Sequence, residues 1–216
     1  TTNICFLIPI GIYLRQKSKS MSKAERTRAF IIEKTAPVFN TNGYAGTSLT
    51  HLTKATGLTK GAIYGNFEGK DEVALEAFRF NMRGITSKLS QELFRYDSAI
   101  DKLKGLVNYY RSQFIKDYLA TGCPIVNLAP EVDDTHEELR TAVNTAIKKW
   151  YDTIVSIVNL GISTGQIAKG VNPKEVARQL ISAIEGGILI SKSTGDISFL
   201  TSALELCDQK IESIKA

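Results

Sequence analysis

Between Thr47 and Lys70 the chain reads TSLTHLTKATGLTKGAIYGNFEGK, which gathers hydroxyls at Thr47, Thr59 and Tyr64, ammonium groups at Lys60 and Lys70, and a side-chain amide at Asn66. Gly61 and Ala62, with almost no side chain, stand in the middle of that set. Hydroxyl, amide and ammonium groups donate hydrogen bonds to anionic oxygen, and small residues let a backbone come close to another surface. The chemistry on offer is the grip of a polyanion.

Two short helical patterns position these groups. Thr47 or Ser48 starts the first by accepting an orphan backbone N–H, and along it Leu49 and Leu52 share a face, with Ala55 a turn further on. Gly57 supplies the turn, and Thr59 caps a second helix so short that only Leu58, Ile63 and Phe67 can hold it to the domain. Thr59, Lys60, Gly61, Ala62 and Tyr64 are left facing outward. This is the spelling of a helix-turn-helix that lays its second helix in a DNA groove.

Charge supports that reading independently. Residues 1–70 hold 10 Lys+Arg against 3 Asp+Glu, and residues 71–216 hold 17 against 19, so the net +5 is the sum of +7 and −2. Each cation set against a phosphate releases condensed counterion and makes binding weaken steeply with salt. Arg15, Lys17, Lys19 and Lys23 are alternatively a solvated tail, yet residues 21–70 alone keep 7 against 3.

Catalysis finds little support. His51 and His136 are the only histidines, and neither has a second ligand at metal spacing. GNFEGKD has three residues rather than four between its glycines, and Asp71 where a phosphate loop needs Ser or Thr. Asp133-Asp134 and Glu137-Glu138 read as an exposed cluster that starts a helix, favoured by its dipole. Cys5, Cys123 and Cys207 are too few and too dispersed for a disulfide framework or a zinc site, which points to a reducing cytoplasm. No enzyme activity, metal or cofactor is implied.

The apolar run ICFLIPIGIYL near the start is too short to span a bilayer, is interrupted by Pro9 and Gly11, and lacks the basic region and cleavage site of a secretory signal. With Met21 directly before SKAERTRAF, residues 1–20 read as an upstream extension or disordered tail, in preference to a membrane anchor.

The remaining chain reads as helix almost throughout, and no alternating strand run competes. The first helix spans about Lys23 to Asn40, with Ile31, Thr35 and Phe39 on one face, Asn42-Gly43 as its stop and Pro37 expected to kink it. Further helices are expected over about Asp71–Tyr96, Ser98–Ala120, Val126–Asp133 and Glu137–Thr164. Pro173 opens one to about Ser193, and Asp196 caps the last, to about Ile214. The fold class is all-α: a three-helix helix-turn-helix domain over 21–70, followed by a larger helical ligand-binding and dimerisation domain over 71–216.

From about Arg26 to Val73, and most closely over Thr47 to Lys70, the sequence resembles the TetR family of one-component transcriptional repressors. The shared pattern is roughly T-[ST]-x-x-x-[IL]-x-x-x-x-G-[VL]-[ST]-x-[GA]-x-[LIF]-Y-x-[YH]-F-x-x-K. The resemblance implies that Lys60, Gly61 and Ala62 meet base edges and that Thr47, Thr59, Tyr64 and Lys70 meet phosphate. Gly65 and Asn66 stand where relatives carry an aromatic or histidine pair, so phosphate contacts there are either missing or made by Asn66. The partners implied are double-stranded operator DNA, a small-molecule inducer and a second copy of the chain. The rival reading is a helical protein-interaction module without DNA binding, which a gel shift separates.

Leu139, Val143, Ala146, Trp150, Ile154, Ile157 and Gly161 form a helical apolar stripe, whose plain meaning is core packing. By the resemblance, Tyr110, Phe114, Trp150 and Tyr151, with Tyr109, surround the centre of the larger domain, and apolar sites with a few polar tips suit small hydrophobic molecules. The segment TGCPIVNLAPEVDDTHEELR resembles a loop and helix of one subgroup in which a cysteine senses electrophiles. That adds Cys123 and Asn127 to the ligand set, with Cys123 activated by a helix N-terminus, against the alternative of an inert buried thiol. Gly186-Gly187 inside AIEGGILIS each cost about 0.8–1.0 kcal/mol relative to Ala in a helix, which close approach of another backbone explains. An isologous homodimer through about 173–214, including Ile184, Gly187, Ile188 and Leu204, is expected; alternatively these residues complete the monomer core.

Overall fold

The computed structural model describes residues 21–118 and 120–216. The apolar head and the extension expected over residues 1–20 lie outside the described residues. Among those described there is no strand, only one isolated bridge between Ile167 and Lys215, and no helix is long and apolar enough to cross a membrane.

Helix α1 spans Lys23–Gly46 and opens on a reciprocal cap: the Ser22 hydroxyl accepts from the Glu25 N–H at 3.1 Å, and the Glu25 carboxylate accepts from the Ser22 N–H at 2.7 Å. Ile31, Thr35 and Phe39 are buried, as the spacing predicts. The dihedral break falls at Gly43 (φ 72°, ψ 177°), not at Pro37, and a further helical turn carries the element past the expected stop. A left-handed φ costs glycine little, so the bend sits there.

Helices α2 (Leu49–Thr56) and α3 (Lys60–Tyr64) follow, and α4 (Lys70–Leu93) packs along α1. The single helix expected over 98–120 is divided: α5 (Ala99–Tyr109) passes into a π-helical turn, Tyr110–Phe114, and then α6 (Ile115–Tyr118). The wider turn accommodates the consecutive buried side chains of Tyr109 and Tyr110 together with Phe114.

Helix α7 (Pro124–Val132) lies against α1, α4 and α8 (Glu137–Ser163). Helices α9 (Pro173–Thr194) and α10 (Ser198–Ser213) form the most extensive helix pair. Asn172 caps α9 through the N–H groups of Lys174 and Glu175. Asp196 accepts from the Ser198 N–H at 2.9 Å but sits one residue before the cap position, which Ile197 fills. One continuous apolar core joins the elements.

Candidate nucleic-acid interface and ligand core

Ser48, rather than Thr47, caps α2. Its hydroxyl accepts from the His51 N–H at 3.3 Å while His51 Nδ1 accepts from the Ser48 N–H at 3.2 Å, so His51 serves as a capping partner. Leu52 is fully buried, and Gly57 makes the turn at φ 69°. The Thr59 hydroxyl accepts from the Ala62 N–H at 3.2 Å and starts α3. Ile63 and Phe67 are buried beneath α3 and Leu58 is half-buried, whereas Thr59, Lys60 and Gly61 are exposed and Ala62 is half-buried. The short helix is thus bolted down on one side and bare on the other.

Other residues expected at this surface fare differently. Thr47 is 0% exposed, and its hydroxyl donates to the Gly43 carbonyl at 2.6 Å, so its side chain fastens the end of α1 and is turned away from the surface expected to meet phosphate. Tyr64 is half-buried against the core rather than fully outward. Asn66 Nδ2 donates to the Ala62 carbonyl at 2.8 Å, closing the end of α3. Lys70 begins α4 with its Nζ 4.4 Å from the centroid of the Tyr44 ring, whose hydroxyl donates to Asp71.

One residue missed by sequence reasoning is Arg28. Its guanidinium donates to the Asn66 carbonyl and to Glu72 Oε1, both at 2.6 Å, and lies 4.1 Å from the centroid of the Phe67 ring. Glu72 also accepts from the Glu68 N–H at 2.7 Å, and these bonds, that backbone one first, hold its carboxyl below the usual range. Arg28 therefore ties α1 to the loop that follows α3. A charge count sees it only as one more cation.

In the larger domain, Tyr110 and Phe114 are buried with ring centroids 5.2 Å apart, and Tyr110 stacks on Trp150 at 5.6 Å. Trp150 is half-buried, but its Nε1 is buried without a hydrogen-bond partner. Cys123 is buried at the start of α7 and its Sγ donates to Glu185 Oε1 at 3.1 Å. Burial and then the Glu185 charge push the Cys123 thiol well up, outweighing the lowering by the Ile125 and Val126 N–H groups. Burial thus outweighs the helix N-terminus here, which favours the inert buried thiol over the activated one.

Glu185 was not anticipated, although an acid inside the apolar run AIEGGILIS is a legible signal. Its carboxyl is pushed up to about 7 by burial, against the lowering effect of the Cys123 bond, and its Oε2 is buried without a partner. Tyr151 is half-buried and makes none of the ring contacts that join Tyr110, Phe114 and Trp150. Asn127 stands apart from these rings, its amide bonded to Asn40, Thr121 and Lys192.

Ile184, Ile188 and Leu204 are each 0% exposed within one chain and Gly187 is buried, so these belong to the monomer core, a correction to the interface expected of them. A Cβ on Gly187 would lie 2.9 Å from Ala203 Cβ and 3.0 Å from Leu200 Cα, so α9 and α10 approach each other closely there. The outer face of the same pair carries an open groove of about 440 Å³ lined by Ala183, Gly186, Ile190, Phe199 and Leu206 among others. Phe199 is 47% and Leu206 60% exposed, and Gly186 faces open space.

A family model described as "Bacterial regulatory proteins, tetR family" matches residues 31–77, and one described as "Tetracyclin repressor-like, C-terminal domain" matches residues 99–206. The crystal structure of a TetR-family transcriptional regulator from Cytophaga hutchinsonii is 38% identical with a TM-score of 0.87, covering 92% of this chain and 99% of that one. A TetR transcriptional regulator from Chloroflexus aurantiacus J-10-FL is 32% identical with a TM-score of 0.84, covering 90% and 98%. The HTH-type transcriptional repressor DhaR of Mycobacterium sp. (strain GP1) is 28% identical over 169 residues, 76% of this chain and 82% of that protein.

Proposed function

The chain belongs to the tetR family of bacterial regulatory proteins, and from that premise we propose that it is a transcriptional repressor released from a palindromic operator by a small apolar molecule. The observation that carries this reading is α3: buried Ile63 beneath, exposed Thr59, Lys60 and Gly61 above, on the basic end of the chain. A five-residue helix with so little side chain on its open face fits the floor of a major groove. Lys60, Gly61 and Ala62 then meet base edges, with Thr59, Tyr64 and Lys70 on phosphate and Asn66 closing the helix end. The repressor sense is supported by the similarity to DhaR, whose name carries it.

A palindrome is read by a symmetric pair, and the apolar outer face of α9 and α10 supports isologous pairing through Ala183, Gly186, Ile190, Phe199 and Leu206. The buried cluster of Tyr110, Phe114 and Trp150 supports an inducer site remote from the DNA face. Such a ligand acts by binding the DNA-incompetent arrangement more tightly, since only differential affinity shifts a population. A gel shift with DNA flanking the protein's own gene tests the reading. Lys60→Ala should weaken binding and reduce the salt slope by about 1; unchanged operator affinity in that variant would assign DNA contact to another face.

A further inference from the structure

We propose that the inducer of this protein is a cation, a primary or secondary ammonium on an aromatic or apolar body, whose N–H is received by Glu185 Oε2 beside the Tyr110–Trp150 stack. The proposal rests on the ligand-site reading above and narrows it to a chemical class. Glu185 Oε1 is bonded to the Cys123 thiol, yet Oε2 is buried with no partner, and no basic side chain among the described residues bonds to this carboxyl. Neither protonation state repairs this: an ionised Oε2 lacks a donor, and a protonated one lacks an acceptor. Buried polar atoms in folded proteins are nearly always paired, so an orphan of this kind marks a place built for something else.

The surroundings suit a cation. Tyr110 is buried and stacks on Trp150, and burial followed by the Glu185 charge pushes its hydroxyl well up, so an aromatic wall and a carboxylate share this part of the core. A second orphan, Trp150 Nε1, is a donor within the same cluster and adds a partner for any acceptor on the ligand. The π-helical turn that carries Tyr110 and Phe114 is an irregularity common at binding sites. Trp150 is half-buried, so one edge of the cluster is exposed on α8. A neutral hydrophobe would leave Oε2 unpaired, and an anion would be repelled by it.

Trp150 is the sole tryptophan, so its fluorescence reports on the site directly. The full-length protein is titrated with 4-phenylbutylamine, an ammonium at neutral pH, and with its neutral counterpart 4-phenylbutanol. The ammonium should bind at least tenfold more tightly than the alcohol to the wild type, and Glu185→Gln should abolish that preference. Equal affinities in the wild type, or a preference that survives in Glu185→Gln, would overturn the cation assignment and leave the ligand-site reading standing. Binding of neither probe would overturn both. The wild-type comparison stands even if the variant folds poorly.

Discussion

The side-chain amide of Asn127 on α7 donates to the backbone oxygen of Asn40 on α1 at 2.8 Å and to the Asn40 side-chain oxygen at 3.0 Å. Asn40 Nδ2 answers by donating to the Gly122 carbonyl at 3.1 Å, and Asn127 Oδ1 accepts from Lys192 on α9 at 2.9 Å. One side chain therefore joins the helix that carries the DNA-reading head to the helix that carries Glu185. Around it α1, α4 and α7 close on a cavity of only about 20 Å³, a seam with little room to slip.

Asn127→Leu keeps the size of the side chain but leaves Asn40 and Lys192 without these bonds. It should lower stability by about 1–3 kcal/mol in urea unfolding. Operator affinity should fall while its salt slope stays as in the wild type, since no phosphate contact is removed. An unchanged unfolding midpoint would mean that the seam is held by packing alone.

Arg28 and Lys60 are both basic but should respond differently to truncation. Arg28→Ala removes the fork between Asn66 and Glu72, so operator binding should weaken with the salt slope intact, in contrast to Lys60→Ala. Arg28→Lys should not restore it, because an ammonium cannot reproduce the fork or the stack on Phe67. Anisotropy titrations at several salt concentrations distinguish these outcomes.

Leu204 and Leu206 sit two residues apart on α10 with opposite exposures, 0% and 60%. Leu206→Glu should shift the species seen by light scattering towards monomer with little change in fold. Leu204→Ala should instead cost about 2–5 kcal/mol of stability by leaving a cavity in the chain's own core. A Leu206→Glu variant that remains dimeric would move the interface elsewhere.

Glu185 should impose a pH dependence on folding. Its carboxyl rises from an ordinary 4.5 to about 7 on burial, with Cys123 and Tyr110 the titratable groups facing it from the π-helical turn and the start of α7. The folded protein thus holds this proton more tightly than the unfolded chain does. The resulting stabilisation is fully present below about pH 4.5 and is lost as pH rises through about 7, at most about 3 kcal/mol in all. Unfolding midpoints from pH 5 to 8 should show this slope in the wild type and a flatter one in Glu185→Gln.

The helix-turn-helix was legible because its determinants are local. A cap at Thr59, a left-handed glycine at Gly57 and apolar residues at Leu52, Ile63 and Phe67 act within one or two turns of chain, and spacing reports them directly. The all-α class and most helix limits followed for the same reason. The division of α5 did not, because the packing of Tyr110 on Trp150 of α8 comes from outside the segment.

What the sequence determined alone was therefore the reading head, its basic charge and the helical order of the chain. Only the tertiary structure decided what covers the apolar faces of α9 and α10. Ile184, Ile188 and Leu204 satisfied every pattern for an interface, yet α9 and α10 turn them inward and leave Gly186, Phe199 and Leu206 outside. Thr47, Asn127 and Cys123 were claimed by Gly43, Asn40 and Glu185, the last two across more than sixty residues. Periodicity states that a face is apolar; what covers that face depends on contacts between segments far apart in the chain, and local spacing carries no record of them.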